Sequence, residues 1–263
     1  MISIHDLHKS FGTLNVLGGI DLDIADGQSV VILGRSGAGK SVILKHIIGL
    51  IRPDRGSVKV DGVEVTTLSY GDLAGLRRRF GMLFQGAALF DSMNVGENVG
   101  LALREHTKKS EEEIRSIIAE KLGLVGLAGI EDKKPSELSG GMRKRVGLAR
   151  AIAMDPAYIL YDEPTTGLDP ITAQQINVLI RDLQEALKIT SIVVTHDMKS
   201  AYCVGDRLCL LNEGRILFDG SPGEIERSAD PIVQQFIHGE AGGPLAGGGP
   251  GPELAGAARA PRR

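Results

Sequence analysis

The sequence predicts an α/β fold, on three observations. Short apolar runs with the length of buried strands, among them Ala157–Tyr161 and Thr190–Val194, alternate with longer stretches of helical periodicity. Residues 28–51 read as one such strand, then a Gly-rich loop, then an amphipathic helix. The run Tyr158-Ile159-Leu160-Tyr161 ends in two adjacent carboxylates, Asp162 and Glu163.

Taken from the start, residues 2–8 and 20–24 alternate apolar and polar, the two-residue period of half-buried strands, with Phe11 between them. Two further short strands flank Asp61-Gly62, a two-residue signal for a tight hairpin. These strands are expected to be antiparallel and to surround the loop unit. Residues 72–79 suggest a short basic helix, followed by the apolar run Phe80–Phe84 and Gln85. Residues 94–104 and 110–122 are expected to be helical, the second opened by a Ser110/Glu113 capping box. A loop at 133–137 leads to a helix from Ser139 to about Met154. Residues 86–154 therefore read as a helical block inserted in an α/β core. Beyond it come a helix at 172–187, strands at 207–211 and 215–218, and a short amphipathic helix at 231–238. Residues 239–263 are rich in Gly, Pro and Ala, with little to bury, and are expected to be a disordered tail.

Composition narrows the function classes. Apolar residues make up 42% of the 263 and charged ones 24%, ordinary proportions for a chain that buries a core. The formal net charge of −3 gives no electrostatic reason to expect nucleic acid as a partner. No apolar run is long enough to span a membrane. The first residues lack the basic and apolar regions of a signal peptide. Cys203 and Cys209 have no metal-ligand spacing and read as two buried thiols.

Three stretches carry chemistry. The loop Gly34-Arg35-Ser36-Gly37-Ala38-Gly39-Lys40-Ser41 has the spacing G-x-x-x-x-G-K-S. Its glycines permit backbone conformations that turn N–H groups onto a phosphate, and the following helix aims its positive end at the same place. Lys40 would reach the β- and γ-phosphates, and the Ser41 hydroxyl would ligate Mg²⁺. Asp162, at a strand end beside such a loop, is placed to hold Mg²⁺ directly or through water. Glu163 is placed to polarise an attacking water. In Leu138-Ser139-Gly140-Gly141-Met142, Ser139 is a natural N-cap and the glycines expose backbone N–H groups. The cations that follow, Arg143, Lys144 and Arg145, oppose the helix dipole. Either an anion binds at that helix end, or a basic face is neutralised by Glu131, Asp132 and Glu137.

The two glycine motifs and their order resemble the ATP-binding cassette (ABC) ATPases over residues 1 to about 240. The resemblance implies a P-loop NTPase fold with a RecA-like core, an antiparallel β subdomain and an inserted α-helical subdomain. The ATPase domain would span 1–238, with its helical subdomain at about 86–154, and the tail would be 239–263. The implied cofactors are ATP and Mg²⁺. Phe11 matches the aromatic that stacks on adenine, in place of the commoner Tyr, although a plain core Phe is the other reading. Gln85 matches the residue that contacts Mg²⁺ and senses the γ-phosphate. Ser139, Gly140 and Gly141 match the signature that closes on the ATP of a second subunit, Asp169 the D-loop residue, and His196 the switch histidine. The site would then be shared by a homodimer, one copy supplying Lys40 and the other Ser139.

A narrower similarity is to the Mla-type phospholipid-transport ATPases and their Mce-system relatives. It lies in Phe84–Val95, Glu97-Asn98-Val99, Leu103–Thr107, Pro135-Ser136-Glu137, Met142, Asp230-Pro231 and Gln235-Phe236, with a departure at Gly86-Ala87-Ala88. It implies a multi-pass permease, an MCE lipid-binding protein and a small STAS-domain regulator as partners. The chain would sit peripherally on the cytoplasmic face of the inner membrane, and residues 85–107 would meet the permease. The alternatives are a cassette for another solute and a soluble, non-transport cassette ATPase. A nucleotide-sensing scaffold without turnover is disfavoured by Asp162, Glu163 and His196.

Overall fold

Parallel pairing of short, fully buried strands builds the frame of the molecule, which a computed structural model describes for residues 1–240 and 242–245. In chain order the strands are β1 (Ile2–Phe11), β2 (Leu14–Ile24), β3 (Ser29–Leu33), β4 (Arg55–Val60), β5 (Val63–Glu64), β6 (Phe80–Leu83), β7 (Tyr158–Asp162), β8 (Thr190–Thr195), β9 (Arg207–Asn212) and β10 (Arg215–Gly220). The helices are α1 (Lys40–Ile47), α2 (Tyr70–Arg77), α3 (Val95–His106), α4 (Glu111–Leu124), α5 (Gly140–Ile152), α6 (Pro170–Leu187), α7 (Met198–Val204), α8 (Pro222–Glu226) and α9 (Pro231–His238).

The strands form two sheets. One is antiparallel, in the order β2-β1-β4-β5. The other runs β10-β9-β3-β8-β7-β6 and is parallel except for β10 at its edge. The two-residue period of its strands sorts their side chains onto two faces. Val31, Leu33, Ile159, Tyr161 and Val193 join a core with the helices α3 to α7. Val30, Ile32, Tyr158, Leu160, Ile192 and Val194 join a second core with α1 and the antiparallel sheet. Both faces of the parallel sheet are thereby covered, as near-continuous apolar strands require.

Local chemistry explains the element ends. Asp61 and Gly62 hold φ of 49° and 78°, the two left-handed residues of a tight hairpin turn, and set Val60 against Val63. The Ser110/Glu113 capping box is present, and Asn94 and Glu97 make a second one on α3. The expected elements are found, with differences. β1 and β2 run well beyond residues 2–8 and 20–24 and form a bulged hairpin, so Phe11 ends a strand instead of lying between two. The loop at 133–137 holds a turn of 3₁₀ helix at Pro135–Glu137. Helices α7 and α8 were not foreseen. Cys203 and Cys209 are free thiols, but only Cys209 is fully buried; Cys203, on the short helix α7, is half-buried, which corrects the expectation of two buried thiols. Residues 246–263 of the expected tail, with its arginines, lie outside the described residues. Among the described residues no helix is long and apolar enough to cross a membrane.

Strand β6 is pressed against α5 at Gly81, where a Cβ would stand 2.2 Å from the Ala151 carbonyl oxygen. Both partners are backbone, so neither can swing aside. Gly81→Ala is expected to cost about 1–3 kcal/mol of stability by urea denaturation; unchanged stability would show that α5 is free to shift.

Candidate active site

The strand order β3-β8-β7-β6 sets four consecutive C-terminal strand ends side by side. Each is followed by a residue singled out above. The Gly34–Ser41 loop follows β3, His196 follows β8, Asp162 ends β7 just before Glu163, and Gln85 comes two residues after β6. In an open α/β sheet this is the edge where ligands bind.

The loop takes its shape from its glycines. Gly39 caps α1 in a left-handed conformation, φ 101°. Gly34 is excluded from carrying a side chain by contact, since a Cβ there would lie 2.7 Å from the Leu211 carbonyl oxygen. Lys40 is buried and donates to the carbonyl oxygens of Gly34 (2.8 Å) and Arg35 (3.1 Å), so its ammonium lies inside the loop. It also stands 3.4 Å from Glu163 Oε1. The Ser41 hydroxyl donates to Asp162 Oδ1 at 2.7 Å. A hydroxyl beside a carboxylate is a donor set of hard oxygens, the kind Mg²⁺ takes.

Glu163 is held from every side. Its backbone is left-handed, φ 49°, a strain of about 1–3 kcal/mol for a residue with a Cβ. Its N–H donates to the Val194 carbonyl at 2.9 Å, tying it to β8. Its Oε2 lies 2.9 Å from His196 Nδ1 and accepts from the Thr166 hydroxyl at 3.2 Å. One carboxylate oxygen thus faces Lys40 and the other His196. Such a carboxylate can orient a water and take its proton.

Lys40, Ser41, Gln85, Glu163 and His196 line one cavity of about 600 Å³, together with Arg35, Ser36 and Gly37. Its other wall was not foreseen. Gln235 and Phe236 of α9, with Gly239, Glu240 and Leu245, close it, and the Arg35 guanidinium donates to the Leu245 carbonyl at 2.7 Å. Phe11, Ser139, Gly140, Gly141 and Asp169 do not line this cavity. Phe11 is 49% exposed and lies beneath the Lys9 ammonium, 5.5 Å from its ring centre, so the plain core reading is corrected. Ser139 is exposed and caps α5, accepting from the Met142 N–H at 3.2 Å, with Gly140 and Gly141 following in the first turn. Asp169 caps α6, accepting from Ile171 and Thr172 at 3.0 Å each.

Two of the three cations of α5 do not form the expected basic face neutralised by Glu131, Asp132 and Glu137. Lys144 is buried and donates to the carbonyls of Gln85 and Glu163. Burial pulls its pKa down to about 8, against the pull of the neighbouring Asp162 and Glu163 carboxylates. Arg145 donates to the Val125 carbonyl at 3.0 Å. Neither meets Glu131, Asp132 or Glu137. The sequence held the signal for Lys144, because Gly141, Lys144, Leu148 and Ala151 recur at helical spacing on the buried face.

A family model described as ABC transporter matches residues 17–166. The chain is 46% identical over 244 residues to the probable ribonucleotide transport ATP-binding protein mkl of Mycobacterium leprae, covering 93% of this chain and 70% of that one. It is 40% identical over 245 residues to the intermembrane phospholipid transport system ATP-binding protein MlaF of Escherichia coli K12, covering 93% and 91%. Among solved structures it is similar to the ATP-binding cassette MJ0796, described as dimeric and in a post-hydrolysis state with ADP and Pi. The TM-score is 0.77 and the identity 34%, over 84% of this chain and 98% of that one.

Glu163→Gln would remove a carboxylate able to take a proton from water while keeping every residue of the Gly34–Ser41 loop. Phosphate release is expected to fall about a hundredfold or more while equilibrium ATP binding persists. Undiminished turnover would exclude Glu163 as the base.

Proposed function

The chain belongs to the ABC transporter family, and we propose that it is the ATP-binding and hydrolysing subunit of a transporter that moves phospholipid between membranes. The observation that carries the hydrolytic part is the convergence of Lys40, the Ser41–Asp162 pair and the Glu163–His196 pair on one cavity. Lys40 and the loop N–H groups bind the phosphates. Ser41, Asp162 and Gln85 hold Mg²⁺, which neutralises phosphate charge when bound. Glu163 orients the water and takes its proton, and His196 fixes the carboxylate. Phe11 packs on the adenine.

Ser139, Gly140 and Gly141 act on the ATP of a second copy, with Asp169 at the same contact. Their absence from the lining of their own chain's cavity favours this, as does the dimeric description of MJ0796. The 86–154 block then works as the helical subdomain of a 1–238 ATPase domain. Donors that arrive only when two copies close act in the transition state, which ties hydrolysis to association.

The lipid substrate is favoured by the match to MlaF along nearly the whole length of both chains. The permease would dock in a groove of about 630 Å³ between α2, β6, α3 and α5, lined by Tyr70, Phe84, Phe90, Leu101 and Met154. Tyr70, Phe84 and Phe90 are exposed there, an apolar surface of the kind that marks a protein contact. An MCE protein and a STAS-domain regulator complete the assembly, peripheral on the cytoplasmic face of the inner membrane. A second reading rests on mkl, which is named for ribonucleotide transport.

Reconstitution with the permease in liposomes carrying labelled phospholipid separates the two. ATP-dependent lipid movement, abolished by Glu163→Gln, is expected; ribonucleotide movement in its place would overturn the lipid reading. Phe90→Glu is expected to abolish co-purification with the permease and leave the ATPase rate of the isolated subunit within about twofold of the parent. Retained co-purification would move the docking site elsewhere.

A further inference from the structure

Two cations on α5 grip the backbone just after β6. Lys144 Nζ donates to the Gln85 carbonyl and, at 3.3 Å, to that of Glu163. Six residues on, Arg150 Nη1 and Nη2 donate to the carbonyls of Ala88 and Ala87 at 2.7 Å each. Between them Gly147 lets the helix close in, for a Cβ there would stand 2.7 Å from Leu83 Cδ1 and 3.4 Å from Ala87 Cβ. Neither cation forms a salt bridge among the described residues. Both charges are spent on neutral carbonyls, an unusual use for a buried ammonium.

The backbone they hold is strained. Ala87 and Ala88 are both left-handed, with φ of 61° and 47°. Two consecutive alanines adopt this only when their surroundings impose it. Arg150 bonds the carbonyls of those same two residues, and Lys144 bonds that of Gln85 at the start of the turn. The Glu163 carbonyl on the same ammonium links the turn to the end of β7. All of these bonds come from the helix that Ser139 caps.

We propose that Lys144 and Arg150 are positioning residues that clamp the Gln85–Ala88 turn to α5, so that turn and helix move as one body. Neither lines the cavity that holds Lys40 and Glu163. They fix where the Gln85 side chain and the Glu163 backbone stand when Ser139 meets the second copy. The proposal rests on the hydrolytic reading above and adds to it the link between the permease groove and the catalytic carboxylate.

The test compares Lys144→Met and Arg150→Gln with the parent chain in ATPase kinetics and in amide hydrogen exchange. The clamp predicts a kcat lower by about ten- to a hundredfold, with KM for ATP within about threefold. Exchange at residues 86–90 should quicken about tenfold while that of α1 is unchanged. Should Lys144→Met fail to fold, Arg150→Lys, which keeps the charge on a single donor nitrogen, is expected to show the same pattern at smaller amplitude. Faster exchange in α1 as well would reduce the pair to structural support and overturn the clamp. So would unchanged kcat in both variants beside an inactive Glu163→Gln. Turnover retained in Glu163→Gln would sink the hydrolytic reading instead, and the exchange pattern alone would then decide the clamp.

Discussion

Everything at the site depends on which strand lies next to which. Because β8 lies between β3 and β7, the phosphate loop and the carboxylates are one strand apart, near enough for the Ser41 hydroxyl to reach Asp162 at 2.7 Å. Each further strand between β3 and β7 would move them apart by about 4.8 Å. The buried, branched side chains of β3, β7 and β8 fix that order by filling two cores, one on each face. Packing thus precedes chemistry: the apolar strand interiors decide where the polar strand ends meet.

At those ends charge is balanced within a small space. Lys40 is buried beside the half-buried Glu163, and His196 closes the other side of the carboxylate. A buried charge without a partner is costly, so these groups stabilise one another. Lys144 answers the same requirement differently. Its ammonium approaches no carboxylate directly and is solvated by backbone carbonyls, while Asp162 and Glu163 favour its charge from farther off. A network so closely satisfied holds Glu163 in a conformation that its backbone alone would avoid.

Much of this was legible in the sequence, for reasons that are local. The phosphate loop, the Asp61-Gly62 turn and the Ser110/Glu113 box each encode their geometry within a few residues. Helices α7 and α8 were missed because they are short, although Asp197-x-x-Ser200 and Ser221-Pro222-x-Glu224 carry their caps. The full length of β2 was hidden by Asn15, Gly18 and Gly19, polar or flexible residues in a strand whose pairing partner decides its extent. Lys144 was misread because a run of three cations suggests a surface, whereas helical period turns the middle one inward. The wall formed by Gln235 and Leu245 depends on a contact across some two hundred residues, which no local pattern announces.

The central claim is that one copy holds the phosphates while Ser139 of another completes the site, which the placement of Ser139 outside its own cavity motivates. Sedimentation velocity of the Glu163→Gln chain, with and without Mg-ATP, tests it most directly. The account predicts a single copy without nucleotide and a complex of two with it, and no such complex when Ser139 is also changed to Arg. A lone copy at saturating nucleotide, beside parent-chain turnover strictly proportional to protein concentration, would contradict it.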